Sequence, residues 1–352
     1  MTDSPPYPNF IGAAEQETLD NSLTHIVRSL INRNVQFLFG RGMSDMAQIP
    51  SEDELIRKLI VSYFSPTNDG AWSDTGDNLA LDMPLSSALE AFSHLPGTTR
   101  EDLTDKLKEF VAQNPACPSK AHTDFLSLLW GEKGIPRLPL LLTTNFDDLL
   151  EQTLGEDRAV TITRKNLRNL GKEQKQGKIP VIHLLGTLDD DGQLTELDAF
   201  QEKNRLLFYE LESALHLYES FIFVGFSHSD SAFWQIYSMY RSRITSRGEI
   251  NKRTFVVSPV ADPYKYSLWR SLWHSRGLTW IPLDSADFFA KLRHLAKTRA
   301  DEEIRTAIMR KYSLAERTSV DEYIHRVADL LRMSEADGTQ FLNETLPRGG
   351  GK

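Results

Sequence analysis

Four short segments of this chain carry the side chains that suit ligand binding or proton transfer. They are Gly40-Arg41-Gly42-Met43-Ser44, Thr143-Thr144-Asn145-Phe146-Asp147, His183-Leu184-Leu185-Gly186 and Gly225-Phe226-Ser227-His228-Ser229-Asp230. Glycines let a backbone approach a phosphate closely, hydroxyl and amide groups bind ribose or phosphate, and histidine and aspartate transfer protons. Taken together, the segments predict a nucleotide site. Taken singly, each also fits a simpler role: a glycine turn, a helix cap at Asp147, or a core histidine at His183.

The elements that must position these segments are short apolar strands. Strands are predicted at 35–39, 138–142, 159–163, 181–185, 221–224, 254–258 and 278–282, with helical stretches such as 203–219 and 286–296 between several of them. Continuously apolar strands separated by helices are typical of a parallel sheet covered on both faces. The predicted fold class is therefore a doubly wound, Rossmann-like α/β fold. In such sheets ligands bind at the carboxyl ends of the strands, where the four segments begin.

The rest of the chain is predicted to be mostly helical. We expect a flexible N-terminus over 1–20, an α/β domain over 21–296 with a helical insertion at about 52–120, and a helical tail over 297–352. Capping-box patterns predict helix starts at Ser51 and Ser319, because a glutamate stands three residues after each serine. The apolar stripes of the tail need a partner surface, which favours assembly with another copy or another protein.

Composition excludes several classes of function. Lys+Arg 40 against Asp+Glu 49 gives a net charge of −9, so no general attraction to nucleic acid or to an anionic membrane is expected. The single cysteine, Cys117, supplies neither an intramolecular disulfide nor a multi-cysteine zinc site, so no metal is expected. The sequence shows no secretory leader pattern and no apolar run of about 18 residues, and a cytoplasmic protein is expected.

The order of the four segments resembles the sirtuin-like family, in particular its branch without the deacetylase zinc module, which occurs in bacterial anti-phage defence. The resemblance covers roughly residues 20–295. The segment from Thr143 to Glu151, TTNFDDLLE, matches the family's TTNxDxLLE pattern closely, and 223–230 matches a vGfSxsD strand end. The first glycine loop and the later Ile49-Pro50-Ser51 are similar to a GAGxS loop with a downstream IPS segment.

The resemblance implies NAD as substrate or ligand, with no metal and no deacetylase activity. It assigns Asn145 to the ribose and the attacking water, and Asp147 to the nicotinamide side. His183 is the candidate base if the register of its strand shifts or a water relays the proton. The implied NAD-binding residues are Gly40, Arg41, Gly42, Ser44, Thr144, Gly225, Ser227, His228 and Asp230. His228 is also a substitute base candidate, against the simpler interpretation of an exposed loop histidine.

Two positions depart from the family pattern. Arg41 stands where the family has alanine, so its guanidinium either fills pyrophosphate space or pairs with a phosphate. Leu185 stands at the usual catalytic histidine of an HLHG strand end, and His183 matches the first histidine of that motif. Residues two apart in a strand share a face about 6.5 Å apart, which predicts that His183 points the right way but lies one step back from the strand end.

Three functional interpretations stay open at this stage. The first, favoured by Leu185 and Arg41, is a catalytically degenerate nucleotide-binding scaffold or regulator in a defence complex. The second, favoured by Asn145 and Asp147, is an active NAD glycohydrolase that depletes cellular NAD on phage infection. The third is a receptor for a nucleotide-like signal with Arg41 as the phosphate clamp. By resemblance, the partner is an ATPase or an Argonaute-type protein, or a second copy in a homo-oligomer, with no direct nucleic acid contact.

Overall fold

The protein is described here from a computed structural model. The structure describes residues 7–44, 47, 49–50, 52–64, 85–113, 116–130, 136–187, 218–228, 230–247, 252–260 and 262–312. Ser51, Ser319 and the tail beyond residue 312 lie outside the described residues, and the predicted helix over 203–219 lies almost entirely outside them.

The core of the fold is a seven-stranded sheet in which every pairing is parallel. Its strands are β1 (Val35–Phe39), β2 (Leu141–Thr143), β3 (Ala159–Ile162), β4 (Ile179–His183), β5 (Ser220–Val224), β6 (Arg253–Val257) and β7 (Thr279–Ile281). They lie in the order β3-β4-β2-β1-β5-β6-β7, so the chain winds outward from β1 in both directions. The predicted doubly wound α/β fold is confirmed.

Both faces of the sheet are covered by aromatic side chains. Phe37 in β1 packs against Phe125 and Phe289. Leu38 is in register with Phe223 of β5, so Phe223 points to the opposite face, where it contacts Phe233. Burial on both faces explains why the strands are continuously apolar in sequence rather than alternating.

Two strands begin two or more residues away from their predicted positions. β2 begins at Leu141, two residues beyond Pro139, and extends to Thr143. β4 begins at Ile179 and ends at His183, two residues earlier than predicted at each end, and Pro180 is its second residue. The expectation that His183 lies one step back from the strand end is therefore wrong: His183 is the last residue of β4, and Leu185 lies in the turn that follows.

The helices between the strands account for most of the remaining described residues. They are α1 (Ala13–Ile31), α2 (Glu52–Phe64), α3 (Leu85–Ser93), α4 (Arg100–Ala112), α5 (Lys120–Leu129), α6 (Leu149–Leu154), α7 (Leu170–Lys175), α8 (Ser231–Arg247), α9 (Pro263–Ser275) and α10 (Ser285–Tyr312). Short 3₁₀ helices lie at Arg41–Met43 and Leu167–Asn169.

The N-terminal segment is more structured than predicted. α1 begins at Ala13, so the predicted boundary at residue 20 falls inside a helix. Before the helix, Tyr7 and Ile11 are buried, and the Tyr7 hydroxyl donates a hydrogen bond to Asp20. Lys291 Nζ lies 4.1 Å from the centre of the Tyr7 ring, and Arg270 pairs with Glu15 over 2.6 Å, so the described part of the N-terminus, residues 7–20, is held against the domain.

The predicted insertion contains the helices α2 to α4 in its described part, and α5 begins at its end, at Lys120. α2, α3 and α4 share a small hydrophobic cluster of their own. Its buried members are Leu55, Ile56, Leu59, Ile60, Ala88, Leu89, Phe92, Leu103 and Leu107. We call this the insertion cluster. The 3.6-residue spacing of its apolar positions explains why the segment folds as helices rather than as further strands.

The chain divides into two compact units, residues 1–293 and 294–352. Of the second unit the structure describes residues 294–312, and these are helical. Within the described part of the chain, none of the helices combines the length and the apolar character that crossing a membrane requires.

Candidate functional site

The candidate site begins with three side chains that form a hydrogen-bonded trio at the carboxyl edge of β1 and β2. The Asn145 side-chain amide donates to the Ser44 hydroxyl over 2.9 Å, and that hydroxyl donates to Asp147 Oδ2 over 2.9 Å. Ser44 ends the loop after β1, whereas Asn145 and Asp147 lie in the loop after β2. The structure therefore brings together three of the residues that the sequence singled out, and we call them the Ser44 trio.

Local backbone contacts hold the β2 loop in place. Thr144 N–H donates to the carbonyl of Phe39 over 2.9 Å, which extends the pairing of β2 with β1 by one step. Asn145 N–H donates to the Thr143 hydroxyl over 2.9 Å, a hydroxyl turn that threonine favours. Thr144 itself is buried. These bonds fix the direction in which the Asn145 side chain leaves the sheet.

Asp147 is half-buried and has two donors. Besides Ser44, the backbone N–H of Leu149 donates to its Oδ1 over 3.2 Å, at the start of α6. Burial raises the pKa of the Asp147 carboxyl above its usual value, although both hydrogen bonds and the charge of His183 act in the opposite direction. The simpler role of helix cap is thus real, but it uses only one of the two carboxylate oxygens.

His183 is buried at 1% exposure, and both of its ring nitrogens are engaged. Nδ1 lies 2.8 Å from the Asn145 carbonyl oxygen, and Nε2 lies 2.8 Å from Glu151 Oε1. Burial lowers the pKa of His183, but the hydrogen bond and charge of Glu151, together with the Asn145 carbonyl, raise it overall. Because both partners are acceptors, the ring donates from both nitrogens as an imidazolium.

Glu151 is a residue of this site that the sequence reasoning did not single out. It lies in α6, four residues after Asp147, and its Oε1 also accepts a hydrogen bond from the Thr161 hydroxyl of β3 over 2.7 Å. Glu151 is the last residue of the TTNFDDLLE segment, so the motif already contained it. Its partners, however, come from other strands, so spacing along the chain did not reveal its contacts.

Phe146, between Asn145 and Asp147, ties the same loop to the insertion. Its half-buried side chain packs against the insertion cluster. The β2 loop is therefore held from one side by β1 and His183 and from the other by the helices α2 to α4. This packing gives the insertion a structural role at the candidate site.

The glycines of the β1 and β5 loops serve close packing between the two loops. A Cβ on Gly42 would lie 2.8 Å from the Gly225 Cα, and Gly42 N–H donates to the Gly225 carbonyl over 2.9 Å. Gly225 has a φ of +78°, which side-chain-bearing residues rarely adopt. A Cβ on Gly40 would meet the Phe226 ring at 2.8 Å. The simpler interpretation of these glycines as turn and packing residues thus has a direct physical cause.

The remaining predicted NAD-binding residues lie in the loop after β5 and in the 3₁₀ helix after β1. Ser227 is exposed, and the His228 ring is half-buried 4.6 Å from the Trp269 ring, centroid to centroid. Asp230 Oδ1 accepts the Phe233 N–H over 3.0 Å, so it caps the first turn of α8. Arg41 is half-buried in the 3₁₀ helix that follows Gly40. The roles of these residues in ligand binding stay predictions.

Metal binding has no support in the part of the chain that the structure describes. Among those residues, no group of three or more His, Cys, Asp or Glu side chains is arranged to hold an ion.

Fold and site together define a doubly wound, Rossmann-like α/β protein with a polar cluster at the carboxyl edge of its sheet. Residues 139–281 match the family model of the SIR2-like domain, which supports a place among the sirtuin-like, NAD-related proteins. The match runs from β2 to β7, so it contains Asn145, Asp147, Glu151 and His183. No curated protein matches the chain.

The residues of the trio fit the ribose part of a dinucleotide. Asn145 Nδ2 carries a second N–H beyond the one given to Ser44, and within the described residues its Oδ1 makes no hydrogen bond. One donor and one acceptor side by side suit the vicinal hydroxyls of a ribose. The amide is 9% exposed and already oriented by Ser44, so little ordering is needed on binding.

Proposed function

We propose that this protein is a sirtuin-like subunit that binds NAD at the Ser44 trio without cleaving it, and that it acts as a scaffold or regulator. The observation that carries the proposal is the state of His183. Both ring nitrogens are engaged as donors, to Asn145 and to Glu151, and the ring is buried. A general base needs a free lone pair within hydrogen-bond reach of the proton that it removes.

Leu185, which stands at the usual position of the base, does not replace His183. Leu185 carries no titratable group, and its half-buried side chain lies in the turn after β4. NAD cleavage leaves oxocarbenium-like charge on the ribose, which requires a base for the attacking water as well as a polar pocket. The trio supplies the polar pocket, so the chain retains binding groups and lacks the usual proton acceptor.

A defence role and a protein partner belong to the same proposal. The resemblance of TTNFDDLLE and the β5 strand end to the zinc-free sirtuin-like branch supports a function in bacterial anti-phage defence. By that resemblance the partner is an ATPase, an Argonaute-type protein or a second copy of the chain. A cytoplasmic location agrees with this role.

The binding proposal is tested by calorimetric titration of NAD into the purified protein. We expect saturable binding by the wild type and at least about tenfold weaker binding by Asn145→Ala, which corresponds to about 1.4 kcal/mol. Asn169→Ala removes an exposed asparagine from the same half of the sheet and is expected to bind as the wild type does. No binding by the wild type, or equal binding by Asn145→Ala, would overturn the proposal.

An active NAD glycohydrolase is the second candidate function. The Ser44 trio favours it, because it joins Asn145, which the resemblance assigns to the ribose and the attacking water, to Asp147, whose pKa is raised by burial. This function predicts nicotinamide release that is abolished in Asn145→Ala, measured alone and with any co-purifying partner. Asp147 and His228 would then be the residues to test as the base.

A further inference from the structure

Glu151 connects the helix α6 to the strands β3 and β4, and it is not one of the three side chains of the Ser44 trio. It belongs to α6, its Oε1 accepts from the Thr161 hydroxyl of β3, and the same oxygen accepts from His183 at the end of β4. Its side chain is 13% exposed, and its Oε2 has no hydrogen-bond partner among the described residues. A carboxylate in such surroundings is held there by its charged partner.

His183 links Glu151 to the candidate site. Its Nδ1 donates to the backbone carbonyl of Asn145 over 2.8 Å. The side chain of that same residue donates to Ser44, which in turn donates to Asp147. The buried ring of His183 therefore holds the backbone of Asn145, and the side chain of Asn145 in turn orients Ser44 and Asp147.

The charge on Glu151 decides whether His183 has both hydrogens. A neutral imidazole carries one N–H, so it donates to either Glu151 or Asn145 and leaves the other acceptor unmet. An imidazolium donates to both. The carboxylate thus keeps the hydrogen bond to Asn145 in place by stabilising the doubly protonated ring.

We propose that Glu151 is a positioning residue of this site: through His183 it holds the Asn145 backbone, and so it sets the affinity for NAD. The claim about NAD affinity rests on the proposed function. The claim that Glu151 holds the Asn145 backbone concerns the ligand-free protein alone. A purely structural ion pair would affect stability without moving Asn145.

The ligand-free part is tested by nuclear magnetic resonance on protein labelled with ¹⁵N in asparagine. The Asn145 signals are assigned by their loss in Asn145→Ala. We expect Glu151→Gln to shift the backbone and side-chain amide signals of Asn145, because the neutral glutamine no longer maintains the doubly protonated ring. Glu156→Gln makes the same carboxylate-to-amide change at an exposed position just after α6 and is expected to leave these signals unmoved.

The second part is tested by titrating NAD into the same variants. We expect Glu151→Gln to weaken NAD binding by about tenfold, since small displacements of a positioning group are costly, and Glu156→Gln to bind as the wild type does. Thr161→Val removes only the second donor to Oε1, and we expect a smaller loss in the same direction. It serves as the second variant if Glu151→Gln fails to fold.

The outcomes separate this inference from the proposed function. Unmoved Asn145 signals in Glu151→Gln would overturn the positioning role, whether or not NAD binds. Shifted signals with unchanged NAD affinity would overturn the claim that Glu151 sets the affinity. A wild type that binds no NAD would overturn the proposed function and the affinity claim together, while shifted Asn145 signals would still support the positioning of Asn145 by Glu151.

Discussion

The two halves of the carboxyl edge of the sheet use similar residue types in opposite ways. On the side of β2 and β4, Ser44, Asn145, Asp147, His183 and Glu151 form a continuous series of hydrogen bonds. On the side of β5 and β6, the loop glycines pack backbone against backbone. Aromatic rings there pack against one another: Phe226, Phe233, Trp234, Tyr237 and Trp273.

Glycine and aspartate at a strand end can have a packing or capping role of their own, whether or not a ligand binds there. In the first half, the charged and amide groups satisfy one another and keep spare hydrogen-bonding capacity at Asn145. In the second half, Gly42 and Gly225 are required by the contact between their own loops, and Asp230 is required by the start of α8. The first half, which we call the polar half, is the one that we propose for ligand binding. The second, which we call the packed half, is held by close contacts between its own loops.

The largest effect expected from this comparison is the loss of stability in His183→Ala. The substitution leaves the Glu151 carboxylate without its cation and the Asn145 carbonyl without its donor, which costs about 3–5 kcal/mol for a buried pair. Urea denaturation measures this difference. His274→Ala changes an exposed histidine and is expected to stay within about 0.5 kcal/mol of the wild type. Equal losses in both variants would show that the polar half does not depend on the pair.

The next effect concerns the packed half. Gly225→Ala places a Cβ 2.6 Å from the Met43 backbone nitrogen, at a φ of +78°. Gly177 has the same φ of +78°, and a Cβ there meets nothing within 4 Å. The two alanine variants share the backbone strain, so their difference isolates the overpacking. We expect Gly225→Ala to cost about 2 kcal/mol more than Gly177→Ala in the free energy of unfolding. A difference near zero would mean that the β1 and β5 loops separate easily.

The smallest effect is the pH dependence of the polar half. The pKa of His183 is raised in the folded protein, so its contribution to stability is complete below the unfolded pKa of about 6.5. That contribution declines as the pH rises through the folded pKa. We expect the stability difference between the wild type and His183→Gln to shrink over this range, because other titrating groups affect both proteins alike. A difference that grows with pH would contradict the imidazolium.

Local sequence patterns predicted the strands well, because each strand is a short apolar stretch buried on both faces. They failed at β4, which was predicted at 181–185 and instead runs from Ile179 to His183, with Pro180 as its second residue. They predicted Ser44, Asn145 and Asp147 as members of one site. They could not predict that Glu151 and His183 pair, because that contact joins residues 32 apart through the arrangement of α6 beside β4. The same limit applies to Gly42 and Gly225, whose backbone contact depends on the order of β1 and β5.

We propose that the polar half binds NAD and that His183 holds the Asn145 carbonyl without acting as a base. The most direct test is nicotinamide release by the wild-type protein at an NAD concentration that saturates binding, alone and with any co-purifying partner. We expect bound NAD and no release above that of Asn145→Ala. Release by the wild type that disappears in Asn145→Ala would contradict it and would establish the protein as an NAD glycohydrolase.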